Sequence, residues 1–105
     1  MSDPTNAAAL PTRHTYGREM RRAVVAALTA LPAVSLVAYL QYVGVQGYFV
    51  RVSPHTPEAI AQVDAAVHAV VGALRPEIAT KVQCRVLSPD EPLPSSTVEF
   101  RRAKA

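Results

Sequence analysis

The most regular hydrophobic pattern in the chain lies between residues 56 and 75. Apolar side chains recur there at the three- and four-residue spacing of a single helix face: Ile60, Val63, Val67, Val70, Val71 and Leu74. Thr56 can accept a hydrogen bond at the N-cap, and Pro57 suits the first helical position because it lacks an N–H. Pro76 ends the pattern, since a proline disfavours helical geometry in the residue before it. This stretch therefore predicts a central helix that lies with its apolar face on a sheet.

The residues before this helix predict a second helix and two strands. Residues 16–31 have helical spacing and end at Pro32. Residues 33–43 are rich in β-branched and aromatic side chains, which favours a strand. A turn at residues 44–47, with its two glycines, then leads to a returning strand at residues 48–53. The pattern is that of a helix followed by a hairpin.

After the central helix, two alternating segments predict two more strands, separated by a proline-rich loop at residues 88–96. In residues 81–87 the predicted inward side chains are Val82, Cys84 and Val86. In residues 97–102 the alternation puts two apolar side chains inward and two charged ones outward: Val98 with Phe100, and Glu99 with Arg101.

The complete order of elements is α-ββ-α-ββ. It predicts an α+β, two-layer sandwich in which two helices pack on one face of a four-stranded, mostly antiparallel sheet. Residues 15–102 then form a single α+β domain. A flexible N-terminal arm is predicted at residues 1–14, which lack periodicity, and a basic C-terminal tail at residues 103–105.

Residues 23–50 contain no charged side chain and follow directly after Arg21 and Arg22. A basic flank before an apolar run of this length is typical of a membrane anchor, and residues 23–43 are the candidate span. Pro32 and two glutamines interrupt the run, however, and divide it into elements of ordinary length for a globular domain. The preferred interpretation is a buried helix followed by buried strands, and a single-pass membrane anchor is the least favoured alternative.

Composition narrows the class of protein. Hydrophobic residues make up 50% of the 105-residue chain, so a packed core is expected, and the formal net charge is +3. The cations concentrate before and after the core, which permits an acidic partner such as nucleic acid: Arg13, Arg18, Arg21, Arg22, Arg101, Arg102 and Lys104. The single cysteine, Cys84, excludes an internal disulfide and suits a reducing compartment. A cytoplasmic location, or a place within a soluble assembly, is therefore expected.

The face of the central helix opposite the apolar stripe carries small residues about four apart: Ala61, Ala65, Ala69 and Gly72. Such a strip allows another helix to approach closely, including a second copy of the same helix. The alternative is that alanine is present only for its high helix propensity, on a face that stays exposed. The strip is our candidate oligomer interface.

The outward face of the predicted sheet combines four cations with one aromatic side chain: Arg51, Lys81, Arg85, Arg101 and Phe49. Sheets bind single-stranded nucleic acid with this combination, because cations contact phosphates and rings stack on bases. Glu99 lies among the arginines, so an exposed face with charges paired across strands is the simpler interpretation. Nucleic-acid binding through this face is kept as the alternative function.

Catalytic and metal-binding patterns are sparse in this sequence. Asp64 and His68 are one turn apart on the central helix, which could make half of a catalytic relay or an ordinary surface pair. No serine or cysteine is obviously placed as their nucleophile, and Cys84 is expected to be a small buried hydrophobic side chain. The spacing of metal ligands is not found among the histidines and the cysteine: His14, His55, His68 and Cys84. The sequence also contains no nucleotide-binding motif. We therefore expect the protein to have no enzymatic activity and no cofactor or metal site.

These features favour a non-enzymatic protein–protein interaction module that acts as the subunit of a homo-oligomer. The N-terminal arm, the small-residue strip and the long charge-free stretch all fit this role. The order of a helix, a hairpin, a second helix and trailing strands is loosely similar to that of ring-forming tail-terminator and connector proteins of bacteriophages. The resemblance implies a structural role in viral assembly, with subunits that meet through different surfaces around a ring.

Overall fold

The computed structural model describes residues 13–42 and 44–102 of the chain. Within them lie two α-helices, a short 3₁₀ segment and four strands: α1 (Arg13–Thr29), β1 (Val34–Tyr42), β2 (Val45–Val52), α2 (Pro57–Leu74), the 3₁₀ segment (Pro76–Lys81), β3 (Val82–Val86) and β4 (Thr97–Arg101). Of the arm predicted at residues 1–14, residues 1–12 lie outside the described residues. Residues 13 and 14 belong to α1. The tail predicted at residues 103–105 lies outside them entirely.

The four strands form one sheet in the order β3-β2-β1-β4. β1 pairs antiparallel with both β2 and β4, whereas β2 and β3 are parallel. Parallel neighbours need a crossover connection, and α2 supplies it. Buried side chains from both helices meet one face of the sheet. The predicted α+β fold, with its α-ββ-α-ββ order and its mixed, mostly antiparallel sheet, is confirmed.

The central helix α2 begins and ends as its sequence predicts. The Thr56 hydroxyl accepts a hydrogen bond from the Ala59 amide at 3.1 Å, and the predicted proline is the first helical residue. At the other end the amide of Arg75 donates to the carbonyl of Val71. The buried side chains of α2 are three valines of the predicted stripe and one added alanine: Ala59, Val63, Val67 and Val71. Of the other predicted members of the stripe, Ile60 and Val70 are partly buried, and Leu74, in the last turn, is 45% exposed.

A bulge near the start of β1 lets more of this strand reach the core than strict alternation allows. Val34 and Val37 are three residues apart, so in a regular strand they would face opposite sides. Ser35 is the extra residue in the pairing with β2, and as a result both valines are fully buried in the core. Tyr39 continues the series that faces the helices, whereas Leu36 faces the other side of the sheet.

A second bulge changes the predicted orientation of β4. Val37 pairs with Phe100 and Ala38 pairs with Val98, which leaves Glu99 as the extra residue. Phe100 packs against the core as predicted. Val98 shares the face of Ala38, opposite the helices, and is 40% exposed. The prediction that Val98 points inward is wrong, because an alternating pattern of five residues does not reveal an inserted one.

The hairpin between β1 and β2 is tighter than the turn predicted at residues 44–47, because β2 already includes residues 45–47. Gly44 has a φ of 77°, a left-handed conformation that glycine adopts without steric cost and that tight hairpin links favour. Gln46 is buried, and its side-chain amide donates to the carbonyl of Gly17 at 2.9 Å. A residue predicted in the turn therefore links β2 to α1.

The connection from β3 to β4 crosses the sheet. These strands form its two opposite edges and run in the same direction, so the chain between them must pass diagonally over one face. The helices occupy one face, and residues 87–96, here named the strap, cross the other. Arg51 on that face donates to the carbonyl of Glu91 in the strap. Leu36 and Ala38, which face away from the helices, are consequently only 4% and 0% exposed.

The end of α1 is capped from a distant part of the chain. The guanidinium of Arg102 donates to the carbonyls of Thr29, Leu31 and Val34 at 3.1, 3.2 and 3.0 Å. Carbonyls at the end of a helix have no partner within it and carry partial negative charge, which a cation stabilises. Arg102, predicted only as part of a basic end, thus ties the end of β4 to α1.

The charge-free residues 23–50 are divided among the second half of α1, β1 and most of β2. Their apolar side chains supply much of the core, so the interpretation as a buried helix followed by buried strands is confirmed. None of the helices in the described residues is both long and apolar enough to cross a membrane.

Candidate functional site

The predicted interface strip lies on the open side of α2. Its four members are exposed: Ala61, Ala65, Ala69 and Gly72. A Cβ atom added to Gly72 would meet nothing within 4 Å, and this glycine has no positive φ. A glycine inside a helix costs about 1 kcal/mol relative to alanine. Contacts and backbone geometry within the described chain therefore give no reason for the glycine, and the strip forms a surface of small residues that another helix could approach.

A small hollow between α2 and β3 brings together three side chains that can carry chemistry. Asp64 and His68 come from α2 and Cys84 comes from β3, and the remaining walls are Val67, Val71 and Val82. The hollow measures about 80 Å³, whereas ligand pockets usually measure roughly 300–1,000 Å³. It has room for water but not for an organic substrate. Sequence reasoning missed this meeting of Cys84 with Asp64 and His68, because it depends on how the helix packs on the sheet.

Cys84 is not an activated nucleophile. Burial, together with the smaller effect of the nearby negative charge of Asp64, raises the pKa of its thiol to about 12. The thiolate is the reactive form of cysteine, so at neutral pH the sulfur keeps its proton and is inert. The side chain packs against the hydrophobic core and is partly buried, on the side of the sheet that the alternation predicts.

His68 bonds to the backbone of Asp64 instead of its carboxylate. The imidazole Nδ1 lies 2.9 Å from the Asp64 carbonyl oxygen. A carbonyl oxygen only accepts hydrogen bonds, so Nδ1 carries the hydrogen in this contact. A catalytic relay requires the carboxylate to orient the imidazole next to a nucleophile that can lose its proton. The hollow provides neither of these two arrangements.

The strap changes the sheet face on which nucleic-acid binding was predicted. Arg51 Nη2 donates to the carbonyl of Glu91 at 2.6 Å, and Arg85 forms an ion pair with the carboxylate of Glu91. The amide of Ser88 donates to the same carboxylate at 3.1 Å. This backbone hydrogen bond, together with the charges of Arg85 and Arg51, lowers the pKa of Glu91. Two of the four predicted cations therefore hold the strap in place.

The other predicted residues of that face lie apart from one another. Phe49 is half-buried, in register between Ala38 of β1 and Arg85 of β3. Lys81 ends the 3₁₀ segment at one edge of the sheet, and Arg101 is exposed on β4 at the opposite edge. Within the described part of the chain neither cation has a hydrogen-bond or ion-pair partner. Binding of nucleic acid to this face stays a prediction. The two cations without a partner in this part of the chain, Lys81 and Arg101, lie at opposite edges of the sheet.

Three arginines of α1 form a group that the sequence analysis placed only in a basic end of the chain. Arg18 and Arg22 are exposed, and Arg21 lies beside them with its guanidinium 4.9 Å from the ring centroid of Tyr39. The sequence signal for this group is the spacing of three and four residues from Arg18 to the other two arginines, because side chains at this spacing lie on the same side of a helix.

Metal coordination has no support in the described residues, where no group of three or more His, Cys, Asp or Glu side chains is arranged to hold an ion. No protein-family model matches the chain, and comparisons with curated proteins and with solved structures found no match. A proposal of function therefore rests on the residues of this chain alone.

Proposed function

We propose that this chain is a non-enzymatic interaction module that forms a homo-oligomer through the exposed strip of α2, defined by Ala61, Ala65, Ala69 and Gly72. The observation that supports this most directly is the glycine within the helix. No side chain or backbone conformation in the described chain requires it, although it lowers helix stability. A second helix that approaches the strip closely would supply the missing reason.

The proposed occupant of the strip is α2 of a second copy. Small side chains let two helix backbones come close, so that many weak van der Waals contacts form along the strip. Such a contact is two-fold symmetric, because the same residues of both copies meet. A ring like those of the phage tail-terminator and connector proteins would need a further, different surface on each subunit. A solution mass of two chains would support the two-fold contact alone, and a larger closed number would support the ring.

Ala65→Asp tests the proposal, because Ala65 lies in the middle of the strip and is exposed in the single chain. In a two-fold contact the substitution places two unpaired carboxylates against each other. We expect association to weaken by at least about tenfold, which corresponds to about 1.4 kcal/mol, while the fold stays intact. Light scattering over a range of protein concentrations and at two salt concentrations measures the mass, and circular dichroism monitors the fold.

The matched control is Ala26→Asp, the same substitution at an exposed position of α1. It should leave the solution mass unchanged, because it lies on the other helix. The proposal fails if the unaltered chain is a monomer at every concentration, or if both variants lower the mass equally. An oligomer that dissociates in high salt would also count against an apolar interface.

A further inference from the structure

Four of the described cations have a structural task within the chain. Arg51 and Arg85 hold the strap, and Arg75 forms an ion pair with Glu77. Arg102 caps the end of α1. These charges are engaged by the fold and are less available to a partner.

Arg18 and Arg22 have no such task. Both are exposed on α1, and one turn separates them, so their side chains lie on the same side of the helix. Among the described residues neither has a hydrogen bond or an ion pair, and Glu19, the only acid in α1, pairs with neither. Arg21 lies next to them over the ring of Tyr39. We name Arg18, Arg21 and Arg22 together the arginine ridge.

The arginine ridge contradicts a local rule of helix stability. Like charges three or four residues apart on a helix repel each other and destabilise it. Here Arg18 stands in that relation to both other arginines, without a compensating acidic partner in the described chain. Residues that break a local rule with no compensating contact are expected at functional positions.

We propose that the arginine ridge binds the phosphate backbone of nucleic acid. A guanidinium forms paired, charge-assisted hydrogen bonds with phosphate oxygens. Four residues of helix span about 6 Å, and successive phosphates of one DNA strand are about 3.4 Å apart along the duplex axis, so the arginines can contact different phosphates. Contacts to phosphates alone do not distinguish bases, so the binding has no sequence preference.

An anionic membrane surface fits the ridge less well than nucleic acid does. A helix that lies on a membrane inserts large apolar side chains beside its cations. In the part of α1 whose side chains the structure describes, the apolar side chains larger than alanine are instead buried in the core or packed against it: Met20, Val24, Val25 and Leu28. Among the described side chains, the exposed ones of α1 are charged or alanine and offer no large apolar group to insert, which favours the phosphate backbone.

The test is the double variant Arg18→Ala/Arg22→Ala, measured by fluorescence anisotropy with a labelled DNA duplex over a range of salt concentrations. Each phosphate contact contributes about 0.9 to the slope of log affinity against log salt. We expect the slope of the double variant to fall by about 1.8 relative to the unaltered chain. Both side chains are exposed, so circular dichroism should show the same fold.

The matched control is Lys81→Ala/Arg101→Ala, which removes the same amount of charge from two cations at the sheet edges that have no partner among the described residues. Its slope should remain that of the unaltered chain. An equal or larger loss in this control would overturn the proposal, and it would favour the sheet face instead. Absence of salt-dependent binding to the duplex, or binding to anionic vesicles in its place, would overturn it as well. In the Ala65→Asp background, removal of Arg18 and Arg22 should still lower the salt slope of DNA binding. The proposal of DNA binding and the proposal of a homo-oligomer can therefore be refuted independently of each other.

Discussion

The contact between Arg51 and the strap can be tested with one substitution. Arg51→Met keeps an unbranched apolar stem and removes the guanidinium. Arg51 and Arg101 are both in register with Leu36, on its two sides in the sheet. Arg101→Met is therefore a matched control, because Arg101 shares the sheet face and the neighbour but has no hydrogen-bond partner among the described residues.

The magnitude follows from the geometry of the contact. Arg51 Nη2 lies 2.6 Å from the carbonyl oxygen of Glu91, whereas Nη1 is 3.5 Å from that of Ser88 and contributes little. Hydrogen bonds to charged groups contribute about 1.5–3 kcal/mol. Arg51 is half-buried, and solvent screens part of this interaction, so we expect the free energy of unfolding to fall by about 1–2 kcal/mol. Arg85 still pairs with Glu91, so the strap should loosen without detaching.

Urea denaturation measures the loss of stability, and amide hydrogen exchange locates it. In Arg51→Met, exchange should become faster in the strap and in the amides of β1 beneath it, around Leu36 and Ala38. Arg101→Met should change the free energy of unfolding by less than about 0.5 kcal/mol. Equal stability of the two variants would refute the assignment of Arg51 as the strap anchor. A loss of stability without faster exchange in the strap would refute it equally.

Three further predictions concern α2 and β3. Val67 lies in the core and is 6% exposed. Val67→Asp should therefore lower the free energy of unfolding by roughly 3 kcal/mol or more, measured by thermal or urea denaturation. If Val67→Asp were as stable as Ala65→Asp, the orientation of α2 would be contradicted. For Cys84, whose pKa is about 12, alkylation of the native chain at pH 8 should be roughly 10³-fold slower than that of the unfolded chain, and equal rates would contradict its burial. Since the native thiol keeps its proton to higher pH than the unfolded thiol, its contribution to stability is complete below about pH 8.5 and decreases as the pH rises towards 12. Cys84→Ala should remove this part of the pH dependence.

The candidate sites show which relations a sequence pattern reveals. The exposure of the α2 strip was predictable, because the apolar stripe on the same helix determines which side faces outward. The hollow was not predictable, since Asp64 and Cys84 meet only when α2 crosses from β2 to β3. The contacts of Arg51 and Arg85 with the strap were also not predictable, because alternation predicts on which face of a strand a side chain lies but not what packs over that face.

The sequence alone determined the type and order of the two α-helices and four strands, the caps and buried side of α2, and the inward side of β3. Each of these depends on neighbours within a few residues, where spacing and capping chemistry act directly. The tertiary structure decided the order of the strands, the two bulges, the path of the strap and the tasks of the arginines. These depend on residues far apart in the chain: Arg51 and Glu91 are 40 positions apart, and Arg102 and Thr29 are 73 apart. No local pattern encodes such a contact, because its geometry exists only after the sheet has formed and the helices have packed on it.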